Sequence, residues 1–214
     1  MKKLIAIIAV ASMGFASFGQ GYFTFTGSVR GVWDGFTSTP RLAADMNVGF
    51  LYGTGSSLIG AIAATTPTNS VSLPGSTSPA QAWNAILNDP SYAVAFNSGT
   101  SAEAVTPTGA NGAFSYLSAG SFGVTGTAAG STYNIIVFGW SNAYATAALA
   151  AAAGSPVGWS APFSYTTVSN IGTPTSMPTA GLLPFGVVTS VPEPTTIALA
   201  GLGGLSLLAL RRKK

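Results

Sequence analysis

The chain has 214 residues, of which 47% are hydrophobic, 11% aromatic and only 6% charged, with 27 Gly, 13 Pro, no Cys and no His. That length fits one domain, or one domain plus processing segments, and the missing Cys and His exclude a disulfide framework, a thiolate nucleophile, a Cys-based zinc site and the commonest general base. The net charge of +3 sits in the termini: between residues 20 and 190 only Arg30 and Arg41 face Asp34, Asp45, Asp89 and Glu103, so no basic cluster is present to bind phosphates and nucleic acid is not an expected partner.

Residues 1–19 begin with Lys2 and Lys3 and continue as an apolar stretch from Leu4 to Phe18, broken by little but Ser12 and Gly14. Small residues follow at Ser17 and Gly19, the spacing that signal peptidase prefers. The pattern predicts a secretory signal helix removed between Gly19 and Gln20, with the bond after Ala16 as the alternative. Its apolar run is shorter than the about 20 residues of a permanent span, which disfavours a retained N-terminal anchor.

Residues 20–190 predict one exported, mostly β domain. Phe23, Phe25, Gly27, Val29, Gly31 and Trp33 alternate with Thr24, Thr26, Ser28 and Arg30, the period-two pattern of one half-buried strand or two. Met46, Val48, Phe50 and Tyr52 repeat it up to Gly53-Thr54-Gly55, and Tyr92, Val94 and Phe96 repeat it up to Asn97-Ser98-Gly99. Ser78-Pro79-Ala80-Gln81 opens a helix toward Leu87, with Ser as cap and Pro in the first turn. Phe114 with Tyr116 and Phe122 with Val124 predict neighbouring strands joined through Ser118–Ser121.

The run Ile135-Ile136-Val137-Phe138 inside residues 132–140 predicts a central strand covered on both faces. An Ala-rich helix over 143–153 follows, with Ser141 or Asn142 as cap and Gly154 as stop. Phe163, Tyr165 and Thr167 predict a strand, the Pro-rich stretch 173–184 an irregular approach, and Phe185–Val188 a last strand. Seven or eight short strands between turn residues predict an antiparallel β-sandwich, jelly-roll-like, with one or two short helices. About 170 residues suffice for such a core without disulfides.

The C-terminal segment, residues 191–214, reverses the order of the first. Val191-Pro192-Glu193-Pro194 precedes the uncharged apolar run Thr195–Leu210, and Arg211-Arg212-Lys213-Lys214 closes the chain. The prolines hold the chain extended and set the start of a transmembrane helix near Thr195. Sixteen residues rise about 24 Å, short of the roughly 30 Å hydrocarbon core, and such a helix crosses by thinning the bilayer or snorkelling its flanks. The four terminal cations form a basic stop on the cytoplasmic side.

These three features in this order resemble a PEP-CTERM sorting signal, with Gly201, Gly203 and Gly204 in the helix. The resemblance implies an exported protein of a Gram-negative, exopolysaccharide-bearing envelope. It implies recognition of Pro192, Glu193 and Pro194 by an exosortase, an integral-membrane transpeptidase-like enzyme, with cleavage near that motif. An ordinary anchor whose prolines merely cap a helix is the alternative, and no LPxTG-like motif points to a Gram-positive sortase. The order of "MNVGFLY", "YNIIVFGW", an Ala-rich helix and "GWSAPFSYTTV" also resembles a group of uncharacterised exported PEP-CTERM proteins, which implies a β-rich surface domain.

Chemistry in the body is sparse. Glycoside hydrolysis needs a carboxylate pair, but Asp34 precedes Gly35 and Asp89 precedes Pro90, positions that favour turns. A serine nucleophile has neither His nor an interior Lys to activate it. Residues 53–60 lack the third Gly of a dinucleotide loop, and no clustered-Asp calcium loop is present. No cofactor and no metal are expected, and the protein is not expected to be an enzyme. Trp33, Trp83, Trp140 and Trp159 with Tyr144 offer either core filling or a stacking platform for sugars, which makes an exopolysaccharide-binding module the alternative to an inert surface or matrix protein.

Overall fold

The computed structural model describes residues 19–34, 41–42, 45–53, 79–87, 89–109, 111–155 and 157–187. The predicted signal helix with Ser17, the sorting motif Val191–Pro194, the span Thr195–Leu210, the basic stop Arg211–Lys214, the cap Ser78, Val188 and the loop beyond Gly53 all lie outside the described residues. Among the described residues no helix is long and apolar enough to cross a membrane.

The described chain is mostly β. Its strands are β1 (Tyr22–Thr24), β2 (Thr26–Gly27), β3 (Val32–Asp34), β4 (Arg41–Leu42), β5 (Met46–Gly53), β6 (Tyr92–Val94), β7 (Phe96–Asn97) and β8 (Ala102–Glu103). They continue with β9 (Thr106–Pro107), β10 (Phe114–Ser115), β11 (Ser121–Gly123), β12 (Thr132–Ser141), β13 (Val157–Trp159), β14 (Phe163–Thr166) and β15 (Phe185–Val187). Three short helices accompany them: α1 (Pro79–Leu87), α2 (Ala147–Ala152) and α3 (Met177–Ala180).

The two longest strands, β5 and β12, pair antiparallel from Asn134↔Gly53 to Ser141↔Met46 and form the middle of the main sheet. On the outer side of β12 lie β13, opposite Phe138–Trp140, and β14, opposite Thr132–Ile135. On the outer side of β5 lie β6, opposite Leu51–Gly53, and β9, opposite Asn47 and Val48. Six strands thus make a sheet four strands wide, because each outer position is filled by two collinear pieces. Between β6 and β9 the chain leaves the sheet as the β7–β8 hairpin.

The break between β13 and β14 is closed by one side chain. Ser160 donates its backbone N–H to Val137 O at 2.8 Å. Its hydroxyl accepts from Val137 N–H at 3.0 Å and donates to Ala161 O at 3.0 Å. Pro162 has no N–H to give the ladder, and the serine hydroxyl supplies the acceptor that the departing backbone withdraws.

Both faces of the main sheet are covered. Tyr133, Ile135 and Val137 of β12 join Val48 and Phe50 of β5 in one core cluster. Ile136, Phe138 and Trp140 join Leu51 in a second. The first face meets other strands. Residues 22–27 carry Phe23 and Phe25 inward, and Phe114 and Phe122 come from the chain paired to them. Phe23 and Phe25 lie 5.5 and 4.9 Å from Phe50 between ring centroids, in tilted arrangements favourable for aromatic pairs. The second face meets helices: Trp83 and Ile86 of α1, one turn apart, and Ala147, Ala150 and Ala151 of α2. The expected two-faced central strand is present, and helices form its second cover.

Several expectations are corrected. β10 and β11 do not pair with each other; both pair with the segment 22–27, β11 opposite Tyr22–Thr24 and β10 opposite Thr26 and Gly27. Residues 116–120 protrude between them opposite Phe25, whose carbonyl accepts from Tyr116 N–H at 2.9 Å. Val29 was expected inward with Phe23 and Phe25 but is 59% exposed, because the turn at Val29–Arg30, with Arg30 at φ 65°, breaks the alternation. Phe96 is exposed and Ala95 buried, since the strand ends after Val94 and the phase shifts. The Ala-rich helix begins at Ala147, capped by Thr146 Oγ1 accepting from Leu149 N–H at 3.3 Å, while Ser141 is still in β12 and Asn142 and Ala143 turn. Gly154, at φ 68°, follows its end as expected. The stretch 173–184 contains α3, with Pro178 in its first turn where a missing N–H costs nothing.

Leu117, Ser118 and Ala119 hold φ of 49°, 54° and 67° in the protrusion, a left-handed run that costs about 1–2 kcal/mol per residue for side chains other than Gly. Ala119 is exposed, so Ala119→Gly removes strain without removing packing. We expect it to raise unfolding free energy by about 1 kcal/mol in urea titrations. Ser160→Ala, by contrast, strips a buried N–H of its partner and is expected to cost about 1–3 kcal/mol in the same measurement.

Candidate functional site

The acidic residues are not brought together. Asp45 precedes the start of β5, whereas Asp89 lies just before Tyr92, the partner of Gly53 at the other end of that strand. The seven residue steps from Met46 to Gly53 separate these ends by about 23 Å, against the roughly 5–9.5 Å between glycosidase carboxylates. Asp89 is buried and builds a turn: Oδ1 accepts from Ser91 N–H at 2.8 Å, and its carbonyl accepts from Tyr92 N–H at 3.1 Å. Glu103 is half-buried on β8 opposite Phe96, and Asp34 pairs through its backbone with Arg41 and Val187. Among the described residues no three His, Cys, Asp or Glu side chains gather to hold a metal ion.

The tryptophans do not form a platform. Trp83, Trp140 and Trp159 are fully buried in the helix-covered core, with Trp83 5.0 Å from Phe138 and 6.1 Å from Trp159 between ring centroids. Trp140 Nε1 donates to Tyr144 O at 3.0 Å. Trp33 is half-buried, its Nε1 tied to Arg30 O at 2.7 Å. Sequence alternation placed Trp33 and Trp140 on apolar faces; the helical cover that buries Trp83 with them is a tertiary feature. An open hollow of about 430 Å³ lies between Thr26, Gly27, Pro107, Gly109, Ala113, Phe114 and Ser115. It offers hydroxyls and backbone groups and no ionisable side chain.

What the fold does position are the two ends of the domain. Gly19 and Gln20 are exposed, while Gly21 is buried against Thr127 and Thr167 with no space for a Cβ. Tyr22 N–H donates to Val168 O at 2.9 Å. Tyr165 ties this strand to the last part of the chain: its Oη accepts from Thr24 N–H at 3.1 Å and donates to Thr175 O at 2.6 Å. At the other end β15 runs parallel to β3, Phe185 opposite Val32. Phe185 and Val187 are fully buried, and both pack over Gly139 of β12, where a Cβ would come within 3.3 Å of Val187 and 3.4 Å of Phe185. Glycine in this central strand is what lets β15 seat so closely. From Val187 to Pro192 is five residues, at most about 18 Å of extended chain.

A family model described as the PEP-CTERM protein-sorting motif matches residues 190–213. No curated protein and no solved structure matches the chain. The molecule is therefore a mostly β domain that leads, three residues after its last described strand, into a protein-sorting motif. The C-terminal segment carries a PEP-CTERM sorting motif, and that motif implies export and targeting to an exosortase.

Burial raises the pKa of Tyr165 above its ordinary value of 10.0, opposed by the hydrogen bond from Thr24. A raised folded-state pKa means that the contribution of this group to stability is complete below pH 10 and is lost as pH rises through the folded value. Alkaline unfolding followed by tyrosinate absorbance should show this step, and Tyr165→Phe should remove it while lowering stability at neutral pH by about 1–3 kcal/mol.

Proposed function

We propose that the protein is a non-enzymatic component of the cell surface or extracellular matrix. Signal peptidase removes residues 1–19, and exosortase processes the chain near Pro192, Glu193 and Pro194. The observation that carries this reading is the sorting motif beginning at residue 190, three residues after the buried last described strand. The short connection supports a division of labour: the domain stays folded while only residues beyond β15 enter the processing enzyme. Strands packed over the first face of the main sheet support taking the cargo as an antiparallel, jelly-roll-like sandwich with an added helical layer. Scattered carboxylates and a body without His or Cys support a structural role over a catalytic one.

The second reading is an exopolysaccharide-binding module. The hollow beside Thr26 and Ser115 favours it, since hydroxyls next to the apolar Pro107 and Phe114 suit a neutral sugar; the buried tryptophans do not.

Intact mass spectrometry of protein recovered from an exosortase-bearing host tests the first reading. The expected product starts near residue 20 and ends near residue 192; in a strain without the exosortase, and in Glu193→Gln, the 191–214 segment remains attached. Full-length protein in equal amount in both strains overturns it. Retention of the mature product on purified exopolysaccharide, lost on Ser115→Tyr, moves the balance to the second reading.

A further inference from the structure

We propose that Gln20, freed by cleavage after Gly19, closes onto its own α-amino group, so that the mature domain begins with pyroglutamate and holds no primary amine. The proposal rests on the signal-peptide part of the function proposed above. Gln20 is exposed, and the chain becomes fixed only one residue later: Gly21 is buried, its N–H donates to Thr127 O at 3.4 Å, and Tyr22 N–H donates to Val168 O at 2.9 Å. The Gln20 side chain lies over Gly123, where a Cβ would sit 3.0 Å from its Oε1. Among the described residues, removing the leader breaks one backbone hydrogen bond, from the half-buried Ala129 N–H to Gly19 O at 2.8 Å, and closing the ring breaks no ladder bond there.

The chemistry needs no co-reactant. An α-amino group has a pKa of about 7.7–8.0, so a useful fraction is uncharged near neutrality. Its lone pair attacks the side-chain carbonyl carbon Cδ and forms a C–N bond that closes a five-membered lactam. The bond from Cδ to the side-chain amide nitrogen breaks, and ammonia leaves with the proton that the amine gives up. Holding amine and carbonyl in one residue supplies the proximity. Residues 20–190 contain no Lys, so the ring removes the last amine from the domain. The product resists aminopeptidases and cannot act as the amine nucleophile, the acyl acceptor, in amide cross-linking to its neighbours.

The test uses the full chain exported by its host. The N-terminal peptide of the mature protein is weighed, and the N-terminus is probed with an amine-reactive ester. We expect a peptide starting at residue 20, lighter by one ammonia and unlabelled, while Gln20→Ala is labelled at its N-terminus. A peptide starting at residue 20 with full mass and a reactive amine overturns the cyclisation and leaves the cleavage assignment standing. A peptide starting elsewhere overturns the cleavage assignment and the proposal with it.

Discussion

The structure depends on the burial of β12 on both faces. Ile135, Ile136 and Val137 are successive residues with no exposed surface, and because a strand alternates, they must enter two different cores. Burying each contributes about 1.5–3 kcal/mol, but only if something covers each face. Strands 22–27, β10, β11 and β15 cover one side, and α1 and α2 the other. The antiparallel ladder to β5 keeps the two covers in register, since every residue from Asn134 to Ser141 has a partner there.

A long central strand served by short neighbours forces interruptions. β13 with β14, and β6 with β9, are each two pieces lying in line against one continuous strand, while β11 and β10 lie against the successive strands β1 and β2. Backbone groups at such breaks must still be satisfied. Ser160 does this with a hydroxyl, and the protrusion at 116–120 does it with the Tyr116–Phe25 bond and a left-handed turn. With few charges to place, the chain meets its polar obligations with Ser, Thr and Tyr hydroxyls: Thr127 to Val124 O, Thr167 to Ala128 O, and Tyr165 to Thr175 O.

Gly21 sits in a space that admits no side chain, and β15 is locked over Gly139, so both ends of the domain are anchored next to segments that processing enzymes are proposed to cut. The acids serve turns and strand ends, and three of the four tryptophans are core. Residues 190–213 carry the sorting motif.

Sequence periodicity alone determined much of this protein. The alternation in Met46–Gly53 and the unbroken apolar run in β12 marked the two main strands, because burial on one face or on two leaves a direct record in residue order. Pro192, Glu193, Pro194, the apolar run and the terminal cations identified the sorting motif, because such a signal is read as a linear segment. Pairing was decided only in three dimensions. Nothing local tells β11 and β10 that they lie against the successive strands β1 and β2, tells Val29 that a turn at Arg30 will expose it, or shifts a helix cap from Asn142 to Thr146. Those outcomes follow from which distant surfaces must be covered, and a strand carries no mark of its neighbour until the core closes around both.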